Sequence, residues 1–192
     1  MRNAAAERNK EPIRKVLLPR LDAHELLLEL ASGGLQHARH IAPALPGLVW
    51  QPSDADPAIQ TYAATVSLPP NVSAPLILDV TDALWPVANA DAIFTANLLH
   101  IAPLQALTGL MEGAARTLNS DGDLFIYGPF SVDGAHTSQG NVAFDAQLRA
   151  RNPAWGIRDL DTVCACADGV SLALVERIDM PANNFLLHFK FC

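Results

Sequence analysis

Apolar runs recur along the chain, each closed by a polar or turn-forming residue. They span 25–30, 48–51, 75–79, 91–96, 123–127, 171–178 and 185–191. Each is four to eight residues long, the length of a buried strand. Helical periodicity fills most of the gaps, over 36–41, 57–65 and 104–118. In the longest of these, Leu104, Leu107, Leu110, Met111, Ala114, Ala115 and Leu118 fall on one face, a stripe expected to pack on a sheet. Strands that alternate with helices predict a parallel sheet covered on both faces. The last two runs are separated only by "DMPANN", too short for a helical crossover, so they are expected to form an antiparallel hairpin. Residues 130–156, rich in Gly, Ser and Asn with a helix expected at 142–151, read as an insertion able to act as a lid.

Composition narrows this picture. A length of 192 residues with 50% hydrophobic content suits a single domain spanning 1–192, with 1–23 as an N-terminal helical segment. The net charge of −7 disfavours general nucleic-acid binding. No run approaches the length of a membrane span, and "MRNAAAERNKEPIRKV" lacks the apolar segment of a signal peptide. Cys164, Cys166 and Cys192 are expected to be reduced thiols, and a cytoplasmic location follows as the expectation. A lone C-x-C is weak ground for a metal site, and none is expected.

"LLLELASGGLQHARHIA" raises the question of a cofactor. A strand, an acid, a small-residue turn and a helix follow one another, as at a nucleotide site. The turn reads S-G-G-L-Q-H and fails the G-x-G-x-x-G pattern of a pyrophosphate grip. Glu29 before the turn suits a ligand with an ammonium or sulfonium charge, which points to S-adenosylmethionine rather than NAD. Asp54 lies 21 residues after Gly33, near the offset of an acid that holds ribose hydroxyls.

The order of motifs resembles class I S-adenosylmethionine-dependent methyltransferases. It is carried by "LLLELASGG", "WQPSDADPAI", "LILDVTDALWP", "DAIFTANLLHIAP" and "RTLNSDGDLFIYGPF". More narrowly, "AERNKEPI", "WQPSD", "YGPF", "FDAQLRARNPAWGIRD" and "MPANN" resemble the family called domain of unknown function 938, the methyltransferase-like protein twenty-six group. The resemblance implies an α/β Rossmann-like sandwich: a seven-stranded mixed sheet, last strand antiparallel, with helices on both faces. It implies that Glu29, Ala31 and Gly33 serve the amino-acid end of the cofactor. Asp54 would hold the ribose, and Asp79 with Val80 the adenine edge, Asp82 being the alternative acid. Asn97 and Leu98 would flank the reactive methyl group. The family pattern carries glycine where this chain has Leu35, which predicts backbone strain or crowding at the cofactor.

His100 and Tyr127 are the candidates for acceptor chemistry, as a base and a pocket wall; a helix-cap histidine and a packed tyrosine are the bland alternatives. Asn141, Arg149, Trp155, Arg158 and Asn183 are candidates for binding the acceptor, although Arg149 with Asp145 also fits a surface ion pair. His37 and His40 are expected at solvent or cap positions. Asn9, Lys10 and Glu11 are expected in a segment folded over the cofactor site. The function these readings favour is methyl transfer to a small polar molecule. A protein acceptor, or a cofactor-binding protein without catalysis, is the alternative.

Overall fold

The computed structural model describes residues 3–192. Helix α1 (Ala4–Leu21) opens the chain, capped by Asn3, whose Oδ1 accepts the Ala5 and Ala6 N–H groups at 2.9 and 3.5 Å. Strand β1 (Leu26–Leu30), helix α2 (Gln36–Ile41), strand β2 (Val49–Asp54) and helix α3 (Ala58–Ala63) follow. Next come β3 (Leu76–Ile77), β4 (Ala90–Ala96), α4 (Leu104–Thr117) and β5 (Leu118–Gly128). A segment of β6 (Phe130–Val132), β7 (Ala135–His136), α5 (Gln139–Arg151) and β8 (Arg158–Asp159) precedes α6 (Leu160–Asp168) and the closing pair β9 (Leu172–Met180) and β10 (Asn184–Phe191).

The seven-stranded sheet has the order β3-β2-β1-β4-β5-β10-β9. β1 lies parallel to both β2 and β4, with Leu27 opposite Trp50 and Leu28 opposite Ile93. The order therefore reverses at β1, and the crevice for a ligand falls beyond the carboxyl ends of β1 and β4. β10 runs antiparallel to β9, as the short "DMPANN" connection requires, and also antiparallel to β5.

Alternation along the strands divides the core into two layers. Leu28, Leu30, Ile93, Leu124, Ile126 and Leu187 face Leu107, Leu110, Met111 and Ala114 of α4. Leu27, Trp50, Phe94, Phe125 and Leu186 face α1 through Ile13, Leu17 and Leu21, and α2 through Ala38 and Ile41.

The expected stripe on α4 holds except at its ends. Leu104 is half exposed, and Leu118 belongs to β5, opposite Ala90. The third apolar run contributes only two residues to the sheet, because Asp79 folds the following chain into a turn by accepting the Thr81 N–H and hydroxyl at 2.9 and 2.8 Å. Residues 130–156 hold more regular structure than their composition suggests. β6 pairs with β7 and β8 in a second small sheet, and α5 begins at Gln139 under a Ser138 cap. Asp159 ties this sheet together by accepting the Ser131 hydroxyl at 2.7 Å and the Gly134 N–H at 2.9 Å. The three cysteines are free thiols. Among the described residues, no helix is long and apolar enough to cross a membrane, and no cluster of side chains could hold a metal ion.

At the amino ends of the strands, buried Asp123 gathers His24, His188 and Lys190, at 2.7, 2.5 and 3.2 Å. Burial pushes its carboxyl up, but hydrogen bonds from His188, His24 and Lys190 outweigh burial and hold it far below the usual carboxylate range. A depressed acid contributes stability that is present above its unfolded value near about 4 and lost as pH falls through that range. Asp123→Asn should therefore lower stability at pH 7 by about 1–3 kcal/mol and make unfolding free energy less steep in pH below about 4, as denaturant titrations across pH would show.

Candidate functional site

The turn after β1 is built from left-handed residues at alternate positions: Ala31, Gly33 and Leu35, with φ of 54°, 50° and 57°. Side chains behind it hold it in place. Ser32 Oγ and Ser53 Oγ both donate to the Glu29 carbonyl, at 3.2 and 2.8 Å. The Gly33 N–H donates to Asp54 Oδ2 at 2.9 Å, which fastens the turn to the end of β2. A Cβ on Gly33 would meet nothing within 4 Å, so the turn faces open space.

That space is a cavity of about 510 Å³, and Ala31, Gly33, Asp54, Asp79, Val80, Asn97 and Leu98 all line it. Seven of the eight positions expected to hold the cofactor are thus brought together. The eighth, Glu29, is not. Its side chain is buried beneath the cavity and receives the Trp50 Nε1–H at 2.8 Å, with His37 Nδ1 at 3.4 Å. His37 takes the place at the wall and bridges onward through Nε2 to Asn9 Oδ1 at 2.9 Å. His37 is buried and so occupies neither a solvent nor a cap position, whereas His40 is partly exposed in the last turn of α2 and pairs with Glu11 of α1 at 2.8 Å. Asp82 lies outside the lining, which leaves Asp79 as the acid at this wall.

A second cavity of about 550 Å³ adjoins the first, and Asn3, Asn97 and Ile101 line both. Asn97 stands in a left-handed conformation at φ 63°, with its N–H donating to the Tyr127 carbonyl at 2.8 Å. His100 and Tyr127 line the second cavity together with Asn141. The His100 ring meets Phe144 edge-on at 5.4 Å and makes no hydrogen bond among the described residues. Burial, reinforced by the Arg158 guanidinium, pushes its imidazole down to about 4, so it is neutral at pH 7 and able to accept a proton. Burial raises the Tyr127 phenol, against opposing contributions from Asn9 and Arg8.

The remaining acceptor candidates lie elsewhere. Arg149 and Arg158 line a separate depression with Asp145 and Asp159. Arg149 Nε donates to Asp145 at 2.8 Å, while Arg158 donates to the carbonyls of Leu99, Ala102 and Ala154 and ties β8 to the loop before α4. Trp155 lines none of these three cavities. At the β9–β10 turn the neighbour of Asn183 is the lining residue: Asn184 reaches the second cavity, and Asn183 contributes its carbonyl to Asn141 Nδ2 at 3.1 Å. Sequence reasoning also missed Asn3 and Arg8. Of the segment Asn9, Lys10 and Glu11 expected to fold over the cofactor site, Asn9 lines the second cavity and Lys10 and Glu11 line neither.

A family model described as "Protein of unknown function (DUF938)" matches residues 1–191. The chain belongs to the DUF938 family. The DUF938 chain is also similar in fold to the mitomycin 7-O-methyltransferase MmcR. The TM-score is 0.81 at 13% identity, over 96% of this chain and 54% of that one. Human N-acetylserotonin methyltransferase, solved in complex with SAM, gives a TM-score of 0.82 at 13% identity, over 95% of this chain and 51% of that one. PigF, solved with SAH, gives 0.79 at 13%, over 98% and 64%. The DUF938 chain thus spans about half the length of the first two proteins, and the likeness is one of fold.

Leu35 is the residue at which the sequence predicts backbone strain or crowding at the cofactor. Its φ of 57° is a conformation that costs an L-residue about 1–2 kcal/mol. Its side chain is fully buried and lines neither cavity, so its bulk does not crowd the site. Glycine there would relieve the backbone, but truncating a buried leucine costs about 2–5 kcal/mol. Leu35→Gly should therefore destabilise the protein by about 1–4 kcal/mol in chemical denaturation, the packing loss outweighing the relief.

Proposed function

We propose that the protein is an S-adenosylmethionine-dependent methyltransferase that acts on a hydroxyl of a small molecule. The observation that carries this reading is the pair of joined cavities: one lined by two strand-end carboxylates, the other by a neutral histidine, meeting at Asn97. The donor set of the first cavity fits the cofactor. Asp54 keeps its carboxylate at the rim of the turn for the ribose hydroxyls, although Oδ2 holds Gly33 and Oδ1 the Asp56 N–H. Asp79 and Val80 stand where an adenine edge would lie, and the left-handed turn at Ala31 and Gly33 exposes main chain to the amino-acid end. Among the described residues no Lys or Arg lines this wall, as a ligand with a sulfonium charge requires. When bound, S-adenosylmethionine supplies an electrophilic methyl group on that sulfonium.

The residues of the chain supply orientation and a proton sink. Asn97 and Ile101, common to both cavities, fix where acceptor and cofactor approach one another. His100 takes the proton that the acceptor hydroxyl loses, on an unprotonated ring nitrogen. Phe144, edge-on to that ring, restricts its orientation.

Calorimetric titration tests the reading. S-adenosylmethionine and S-adenosylhomocysteine should each bind with one-to-one stoichiometry, and NAD should not bind. Asp54→Ala and Asp79→Ala should each weaken binding by about 1–3 kcal/mol, because a polar ligand group loses its partner. Unchanged affinity in both variants would place the nucleoside elsewhere.

A further inference from the structure

The two cavities carry opposite charge. Among the described residues, the first is lined by Asp54 and Asp79 with no Lys or Arg, whereas the second is lined by Arg8 and His100 with no Asp or Glu. This occurs in a chain with 20 acidic and 13 basic side chains, where a wall without carboxylates runs against the overall charge. Arg8 belongs to the "AERNKEPI" block of α1. Its acidic neighbours on that helix are engaged elsewhere: Glu7 with Lys10 at 2.6 Å, and Glu11 with Arg14 at 3.3 Å and His40 at 2.8 Å. The Arg8 guanidinium makes no ion pair among the described residues, and its charge reaches Tyr127 at the cavity wall.

The other groups in this cavity define the rest of a ligand. Asn141 Nδ2 is committed to Thr137 and to the Asn183 carbonyl, and Asn184 Nδ2 to the carbonyls of Pro181 and Ala182. Their Oδ1 atoms are left to accept from a hydroxyl. Phe144 and Ile101, 37% and 46% exposed, offer apolar surface to the body of a ligand. We propose that the second cavity selects a small anionic acceptor, a hydroxycarboxylate on an apolar frame, whose carboxylate pairs with Arg8. The role as acceptor rests on the first cavity being the cofactor site; the anion preference does not. An anion bound beside His100 also favours the protonated imidazole, which makes that ring a better proton acceptor when the cavity is filled than when it is empty.

The test uses 4-hydroxybenzoate, 3-hydroxybenzoate and 4-hydroxycinnamate, each beside its neutral carboxamide. Dissociation constants are measured by ligand-observed NMR on the full chain, with and without S-adenosylhomocysteine. The carboxylates should bind about fivefold or more tightly than the carboxamides, an advantage lost in Arg8→Gln and kept in Arg8→Lys. Cofactor affinity, titrated on the same samples, should not change in either variant. Equal binding of carboxylates and carboxamides, a preference that survives Arg8→Gln, or no binding of any of the six compounds would overturn the proposal. A carboxylate preference that depends on Arg8, in protein that fails to bind S-adenosylhomocysteine, would support the anion site and overturn the methyltransferase reading instead.

Discussion

A carboxylate buried beneath a ligand cavity must find donors within the protein, and the arrangement around Glu29 follows from that requirement. Glu29 lies on the face of β1 that packs against α1 and α2, and it is almost wholly removed from water. Trp50 of β2 and His37 of α2 supply the partners, and His37 passes the connection to Asn9 of α1. One polar chain thus crosses four elements through an otherwise apolar layer. It fixes the rotation of α1 over the sheet. That rotation turns Asn3 toward the junction of the two cavities and Arg8 into the wall of the second. The wall of the second cavity therefore depends on a polar chain anchored on Glu29, a residue that lines neither cavity.

The same geometry separates opposite charges over a short distance. Carboxylates at the ends of β2 and in the turn after β3 sit on one side of Asn97, and Arg8 with a neutral imidazole sits on the other. Under the proposed function, side chains of one sign lining each compartment would hold a cationic cofactor and an anionic acceptor in separate places, aligned before any chemistry occurs. Left-handed residues at Ala31 and Asn97 mark the strand ends that frame this junction. Strained backbone is tolerated there because the surrounding hydrogen bonds over-determine it.

Much of this was legible in the chain, and the boundary of legibility has a physical cause. Strand–helix alternation and the short terminal connection yield the sheet, because hydrophobic period and loop length are local properties. Asp54 is marked by its 21-residue offset from Gly33, whereas Asp79, Val80 and Asn97 are assigned to the site by the family resemblance. Glu29 could not be placed from sequence. Its partner Trp50 comes into reach only through the parallel register of β1 and β2, and a buried acid reads the same in sequence as an acid facing a ligand. Arg149 and Arg158 share a short span with Asn141, yet α5 and β8 turn them to another face, where main-chain carbonyls and Asp145 absorb their charge. Leu35 could be identified as unusual, but whether its bulk pointed at the ligand or into the core depended on packing that no local pattern encodes.

The central claim is that the two cavities form one reaction path meeting at Asn97. A crystal structure of the protein grown with S-adenosylhomocysteine addresses it most directly. The ribose should lie against Asp54, the adenine beside Asp79 and Val80, and the sulfur at the junction, facing His100 across the second cavity. Density for the ligand in the second cavity, or a sulfur turned away from His100 with the adenine at the junction, would contradict it.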